Sequence, residues 1–267
     1  MAKDAVEPPL GIEATLEDFM RLVINADDFG LNENATLAIA ECFRRGIVNR
    51  TTAMVNMPWF KSAIEIARRE GFAAYVGLHV NLVEGYPLTD DIKRSRFWCN
   101  PDGSFKGGLW KNKLWRFWMP REAIRLAGLE IDAQMRAFVS EGLSSRHFDS
   151  HQYICSYWPM IDVACVQAKR NGFVSTRGFF NAPRRQFYCH RVNKRIDWQG
   201  LTRPDWLFFA KDIPRLASMD LAQARVEIHC HPNRRDSTGA YDLKGALMDW
   251  KTAYKDSLGL CYEIANL

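Results

Sequence analysis

The sequence predicts an α/β protein with a mainly parallel sheet, and three observations carry that expectation. Strand and helix signals alternate along the chain, the pattern of strands joined by crossover helices. Polar runs stand where hydrophobic strands stop: Leu22-Val23-Ile24-Asn25-Ala26 ends in Asp27-Asp28, and Tyr75-Val76-Gly77-Leu78 ends in His79. Arg146-His147-Phe148 leads into Asp149-Ser150-His151, and Arg225-Val226-Glu227-Ile228 ends in His229-Cys230-His231. Carboxylates and imidazoles at the C-terminal ends of separate strands are how an α/β barrel builds a site. Finally, 267 residues with 47% hydrophobic content suit one large α/β domain. No linker, repeat or low-complexity tract divides the chain, so residues 1–267 are expected to form a single domain.

The elements follow in order. After the first strand, Asn34 to Arg45 reads as a helix, with Leu37, Ala40 and Phe43 at three-residue spacing and Gly46 as its stop. Thr51 to Asn56 reads as a short strand. Trp59 to Glu70 reads as a helix stopped by Gly71. A long amphipathic helix follows Pro120, with Ile124, Ala127, Ile131, Met135, Phe138 and Val139 on one stripe and Gly142 at its end. Trp158 to Arg170 is a further helix and Gly172 to Thr176 a further strand, and the stretch from Leu243 to Glu263 reads as helical. Between residues 91 and 119 periodicity fails, while Phe97, Trp98, Phe105, Trp110, Trp115, Phe117 and Trp118 accumulate among Lys and Arg. That insertion is either a lid whose rings stack on a substrate, or a long loop folded onto the barrel or buried in a homodimer interface.

Charge and composition narrow the function. The formal charge is +5, from 36 basic against 31 acidic residues, too balanced for a nucleic-acid-binding protein. It leaves room for an anionic small molecule, with Arg184-Arg185 and Arg234-Arg235 as basic pairs. Seven cysteines, at 42, 99, 155, 165, 189, 230 and 261, form no CxxC pair and read as reduced, buried thiols. No segment approaches the roughly 18 apolar residues of a membrane span, and the N-terminus has no apolar run of signal-peptide length. The expected location is cytoplasmic.

Taken singly, each polar run has a plain structural explanation. A double Asp after a strand is often a turn or a helix cap, a lone His is often structural, and Asp149-Ser150-His151 suits a helix N-cap. Together, at strand mouths that share one face, an Asp and two His suffice for an open divalent-metal centre. The combination therefore points to a metal-dependent hydrolase.

The runs Asn25-Ala26-Asp27-Asp28-Phe29-Gly30, Gly77-Leu78-His79-Val80-Asn81-Leu82, His147-Phe148-Asp149-Ser150-His151-Gln152 and Cys230-His231-Pro232 resemble the YdjC-like carbohydrate deacetylases, which include diacetylchitobiose deacetylases. Thr51 to Asn56 and Ala133-Gln134 are also similar, so the resemblance spans roughly residues 20 to 235 in order and spacing. It implies a single deformed, TIM-like (β/α) barrel holding one divalent cation. By position, Asp28, His79 and His151 would be the ligands, Asp27 the general base and His231 the acid on the opposite wall. Arg177 would bind substrate or make a structural salt bridge, and Asp149 would orient a ligand imidazole or cap a helix. The resemblance implies Mg²⁺, whereas two nitrogens and one oxygen suit Zn²⁺, Co²⁺, Ni²⁺ or Mn²⁺. The implied substrate is an N-acetylated sugar, with or without a phosphate.

Amide hydrolysis asks for these residue types in its own right. A bound ion lowers the pKa of water to about 7, a carboxylate beside it takes the proton, and a His protonates the departing amine near neutrality. One departure stands out. Tyr153 and Cys155 replace two histidines that the family often carries, which implies a changed pocket wall with Tyr153 facing substrate. A non-catalytic sugar-binding protein, or a hydrolase for another amide, are the competing readings.

Overall fold

The computed structural model describes residues 20–108, 111–179, 186–209, 223–236, 239–242 and 262–264, with isolated positions between 210 and 222. The first strand, β1 (Met20–Phe29), lies at the centre of a curled parallel sheet. Its neighbours are β2 (Arg50–Ala53), β3 (Val76–Val80), β4 (His147–Ser150) and β5 (Ser175–Thr176) on one side. On the other side are β7 (Arg225–Cys230) and then β6 (Trp206–Phe209). The order is β5-β4-β3-β2-β1-β7-β6, every pairing is parallel, and β10 (Tyr262–Ile264) adds to the first three residues of β1. Thr202, just before β6, bridges Ser175 of β5 in parallel, so the two ends of the curl approach each other. This is the deformed barrel expected, with β8 (Pro232–Asp236) and β9 (Gly239–Asp242) forming a separate antiparallel pair.

Helices cover the outside. α1 (Glu33–Arg44) starts at Asn32, whose side chain accepts the Ala35 N–H, and it buries Ala35, Ala38, Ile39 and Cys42. α2 (Phe60–Arg69) and α4 (Arg121–Ser140) follow the expected stripes, α4 burying Ala127, Ile131, Met135 and Phe138. α5 (Ile161–Arg170) begins three residues later than expected. Residues 151–156 form a 3-10 turn, and Pro159 keeps Trp158 out of helical geometry. The strand expected over Gly172–Thr176 shrinks to Ser175–Thr176. The helix expected over 243–263 lies outside the described residues up to 261, and its end, with Tyr262, is strand rather than helix.

α6 (Gln186–Trp198) and β6 were not expected from the sequence. β6 is only four apolar residues, too short a run to separate strand from buried helix. Within the insertion, α3 (Asp90–Lys93) and a 3-10 turn at Lys113–Arg116 are ordered elements. Trp98 anchors it to the barrel: its side chain is buried and its Nε1–H donates to Ala123 O at 2.8 Å. Trp110 lies outside the described residues. All six described cysteines are free and buried, as expected, and Cys261 is not among them.

Period-two alternation sorts the strands into two layers. Leu22, Ala26, Leu78, Phe148, Val226 and Ile228 belong to the apolar core shared with the helices. Their neighbours Asn25, Asp27, Thr52, His79, Asp149, Glu227 and His229 are buried polar groups on the inner face. Gly77 belongs to that inner layer because a Cβ there would lie 2.9 Å from His147 O. The barrel interior is therefore a polar network, and it leads directly to the site.

Candidate metal centre and active site

Most of the site residues lie inside the strands, with His79 in β3, Asp149 in β4, and Asp27 and Asp28 in β1, while His151 follows β4 in the 3-10 turn and His231 follows β7. At Asp27-Asp28 the register between β1 and β2 slips, and Asp28 takes φ +70°. The bulge and left-handed backbone turn two successive carboxylates toward the same cavity, where a regular strand would send them to opposite faces. Gly30 follows because its φ is +83° and any Cβ would lie 2.9 Å from Phe60 Cα at the start of α2.

Asp28 Oδ1 lies 2.9 Å from His151 Nδ1 and 3.2 Å from His79 Nε2. Neighbouring donors on an octahedral ion at roughly 2.1 Å stand about 3 Å apart, so this spacing suits one cation. His79 gives its Nδ1–H to Asp149 Oδ1 at 2.5 Å, which turns Nε2 toward Asp28. That Nε2 is buried and has no hydrogen-bond partner among the described residues. His151 offers its other nitrogen, Nε2, to Glu84 Oε1 at 3.3 Å. Each imidazole thus has a carboxylate on the nitrogen that faces away from Asp28. Inside the barrel, Asp27, Asp28, Asp149 and Glu227 face Arg50 and Arg177, an excess of two negative charges when all are ionised. A divalent cation offsets that excess.

Burial would lower the His79 pKa, but Asp149 and Asp28 reverse this and raise it to about 10. Burial works likewise against His151, and Asp28 and Glu84 raise it to about 9. Burial would raise Asp28, yet the two imidazoles hold it well below the usual carboxylate range. Without a cation, protons occupy the place where positive charge is wanted.

Two other groupings share Asp27, one with His229 and His231 and one with His79 and Asp149. Neither suits a cation, because Arg177 already occupies Asp27 through Nη1 at 2.7 Å and Nη2 at 2.6 Å. A second positive charge in the same place would be repelled. Against the cost of burial, that guanidinium holds Asp27 far below the ordinary carboxylate range. Asn25 Nδ2 also donates to Asp27 Oδ1 at 2.7 Å. Three of about four acceptor positions are then filled. The remaining one, on Oδ2, faces His231 Nε2 at 3.5 Å and His229 Nδ1 at 3.7 Å.

Arg177 is 5% exposed and serves three carboxylates, adding Asp149 Oδ2 at 2.7 Å and Glu227 Oε1 at 2.6 Å. Its guanidinium nitrogens are engaged by these three carboxylates. Of the two sequence readings, the contacts are those of the salt bridge. Asp149 makes no helix-cap hydrogen bond; it sits behind His79, also accepting from Thr52 Oγ1 at 3.0 Å. Tyr153, at φ +57°, turns inward, and its hydroxyl lies 2.7 Å from His229 Nε2. Burial raises the phenol pKa and lowers that of His229, so Tyr153 donates and the neutral imidazole accepts. Cys155 is buried and its thiol is pushed up to about 12 by burial.

Glu84, His229 and Glu227 are the site residues that the sequence reading missed. Parity along β7 places Glu227, His229 and His231 on one face, so alternation alone was enough to find His229. Glu84 carried no such signal, since loop hydrogen bonds deliver it. Asn81 Oδ1 accepts from the Val83 and Glu84 N–H groups, and Asn81 Nδ2 donates to Glu84 O.

A family profile described as YdjC-like protein matches residues 21–256. Among curated relatives, a carbohydrate deacetylase of Halalkalibacterium halodurans is 28% identical over 80% of this chain and 85% of its own. One from Vibrio vulnificus is 29% identical over 80% and 78%, and one from Brevibacillus brevis is 35% identical over 56% of each chain. The crystal structure of a "putative cellobiose-phosphate cleavage protein" from Enterococcus faecalis V583 superposes with a TM-score of 0.71 at 22% identity. It covers 93% of this chain and 97% of its own, and it shares the fold. Curled parallel sheet, strand-end carboxylates and imidazoles, and a match across most of the sequence agree: the chain belongs to the YdjC-like protein family.

Proposed function

We propose that this chain is a metal-dependent carbohydrate deacetylase, a hydrolase that cleaves the C–N bond of an N-acetylated sugar and releases acetate. The observation that carries the reading is the convergence of Asp28, His79 and His151 on one point, with the buried His79 Nε2 left without a hydrogen-bond partner among the described residues. The relatives named carbohydrate deacetylases supply the substrate class. Asp28, His79 and His151 would hold one divalent cation: family resemblance implies Mg²⁺, whereas the two nitrogens and one oxygen suit Zn²⁺, Co²⁺, Ni²⁺ or Mn²⁺. When bound, such an ion acidifies water and polarises the acetyl oxygen.

The remaining work falls to the chain. Asp27 takes the proton of the attacking water on the open side of Oδ2. Arg177 keeps Asp27 ionised and so able to accept that proton. His231, half-exposed on the substrate side and 3.5 Å away, protonates the sugar amine as the C–N bond breaks. Asp149 and Glu84 fix the two ligand imidazoles in the tautomers the cation needs. Tyr153 contacts His229 rather than the Asp28 cluster, so the exchange of a family histidine leaves the ligand set intact and alters the pocket wall.

Acetate release tests this reading, using metal-stripped protein resupplied with each ion and diacetylchitobiose with and without a phosphate. Release that depends on the ion, together with loss of both metal and turnover in Asp28→Ala, is the expected result. Asp28→Ala and His79→Ala that both keep their metal would sink the ligand assignment.

A further inference from the structure

The 3-10 turn of the aromatic insertion at Lys113–Arg116 and the following Phe117 face α6 across a hollow of about 660 Å³, and a second hollow of about 430 Å³ lies between Trp158 and α6. Both share Trp158, Phe187 and Arg191. Phe187 is 75% exposed, Trp198 79% and Phe117 61%, an unusual set of large rings to leave in water on one face. The cations there are equally unusual. Lys113, Arg116, Arg191 and Lys194 line the hollows, and none has an ion-pair partner among the described residues. Among the described residues no carboxylate lines either hollow, and of the lining cations only Arg195 is neutralised, by Asp162. The Arg191 guanidinium lies 5.2 Å over the Phe187 ring, its N–H edges left for an anion.

A chain of packed rings links this face to the wall of the active site. Rings run inward from Phe117 to Tyr188 (5.5 Å), Phe179 (5.7 Å), Tyr153 (5.9 Å) and His229 (5.8 Å). Tyr188 also donates to Ser156 O at 3.0 Å, the end of the turn that carries His151. We propose that the face is a distal subsite for an acidic oligosaccharide: rings stack on pyranose faces while guanidinium and ammonium groups hold carboxylates. The proposal rests on the deacetylase reading and names its substrate class, an N-acetylated glycan that carries acidic residues away from the reacting acetamide. A second copy of the chain is the poorer occupant, because a twofold axis would set the same cations against each other.

Titration calorimetry on the full chain tests it, with a hyaluronan hexasaccharide (N-acetylglucosamine alternating with glucuronate) against neutral chitohexaose. The acidic glycan is expected to bind about tenfold more tightly. That preference disappears in the exposed double variant Arg191→Ala/Lys194→Ala, while Phe187→Ala weakens both ligands. Failure to bind hyaluronan, equal affinity for the two glycans, or a preference that survives the double variant each overturns the proposal. So does tighter binding of single-stranded DNA or of phosphatidylserine vesicles that the double variant abolishes, which reassigns the face. Hyaluronan binding without acetate release from any saccharide overturns the deacetylase reading instead. Acetate release from chitobiose without hyaluronan binding overturns the subsite alone.

Discussion

Arg177 is the residue on which the polar interior turns, since one guanidinium balances Asp27, Asp149 and Glu227. Removing it strands three carboxylates in low dielectric, a loss of about 3–5 kcal/mol for a buried pair broken on one side. Arg177→Ala should therefore melt roughly 10 °C lower or fail to accumulate folded. Arg177→Lys should restore little, because a single ammonium lacks the planar fork that spans both Asp27 oxygens. A lysine variant with wild-type melting and activity would show that charge alone suffices. Tyr153→Phe makes a gentler probe. It removes the donor to His229 Nε2, and a buried acceptor left without its hydrogen bond costs about 1–3 kcal/mol. The change should leave metal content intact and appear in the His229 imidazole nitrogen shifts by NMR. Identical spectra in the variant would exclude the hydrogen bond as the determinant of that tautomer.

At the scale of elements, the β1–α1 junction and the loop after β3 deliver the cluster. Gly30→Ala combines a φ of +83° with a Cβ placed 2.9 Å from backbone at the start of α2. A cost of about 1–3 kcal/mol, seen as a lower denaturation midpoint, is expected. The measurement also reports on the site, because β1 shifts with α2. A midpoint unchanged from wild type would mean that α2 yields freely. The loop carrying Glu84 is braced from three sides: by Asn81, by Asn56 donating to Glu84 O and Tyr86 O, and by Glu130 accepting from Leu88 and Thr89. Glu84→Gln keeps that loop and removes only the charge behind His151. Metal affinity, read by chelator competition, should fall about 10- to 100-fold. Equal affinity would leave Glu84 as a surface carboxylate that happens to lie near.

For the whole molecule, the stored charge sets how stability follows pH. In metal-free protein His79 and His151 carry pKa values raised from 6.5 to about 10 and about 9. Groups raised on folding stabilise fully below their unfolded pKa and lose that contribution as pH climbs through the folded values. The metal-free melting temperature should therefore fall between about pH 7 and pH 10. Asp27 and Asp28 are depressed and act in the opposite sense, their contribution disappearing as pH falls through and below the carboxylate range. A bound cation needs both imidazoles unprotonated, so its added stability should grow with pH over the same window. A metal-free melting temperature that is flat or rising there would contradict the proton occupancy of the cluster. Among the described residues no helix is long and apolar enough to cross a membrane.

Much of this was legible in the chain. Glycine and proline bounded α1, α2 and α4, because those signals act within one helical turn. Apolar runs ending in Asp or His marked β1, β3, β4 and β7, and each of Asp27, Asp28, His79, Asp149 and His151 is where a strand mouth should put it. α6 and β6 were missed where the local pattern is weak or too short. The chemistry of individual groups was not written locally at all. Whether Arg177 meets substrate or Asp27 depends on a pairing across 150 residues of sequence, made only when β5 and β1 curl round to a common interior. Glu84 reaches His151 because Asn81 and Asn56 bend its loop, and Tyr153 reaches His229 because its backbone turns left-handed. Sequence by itself determined which side chains stand at the strand ends, since period and capping are short-range. Tertiary structure alone decided which of them share a charge or a proton, since electrostatic partners are chosen by distance in a closed, poorly solvated barrel.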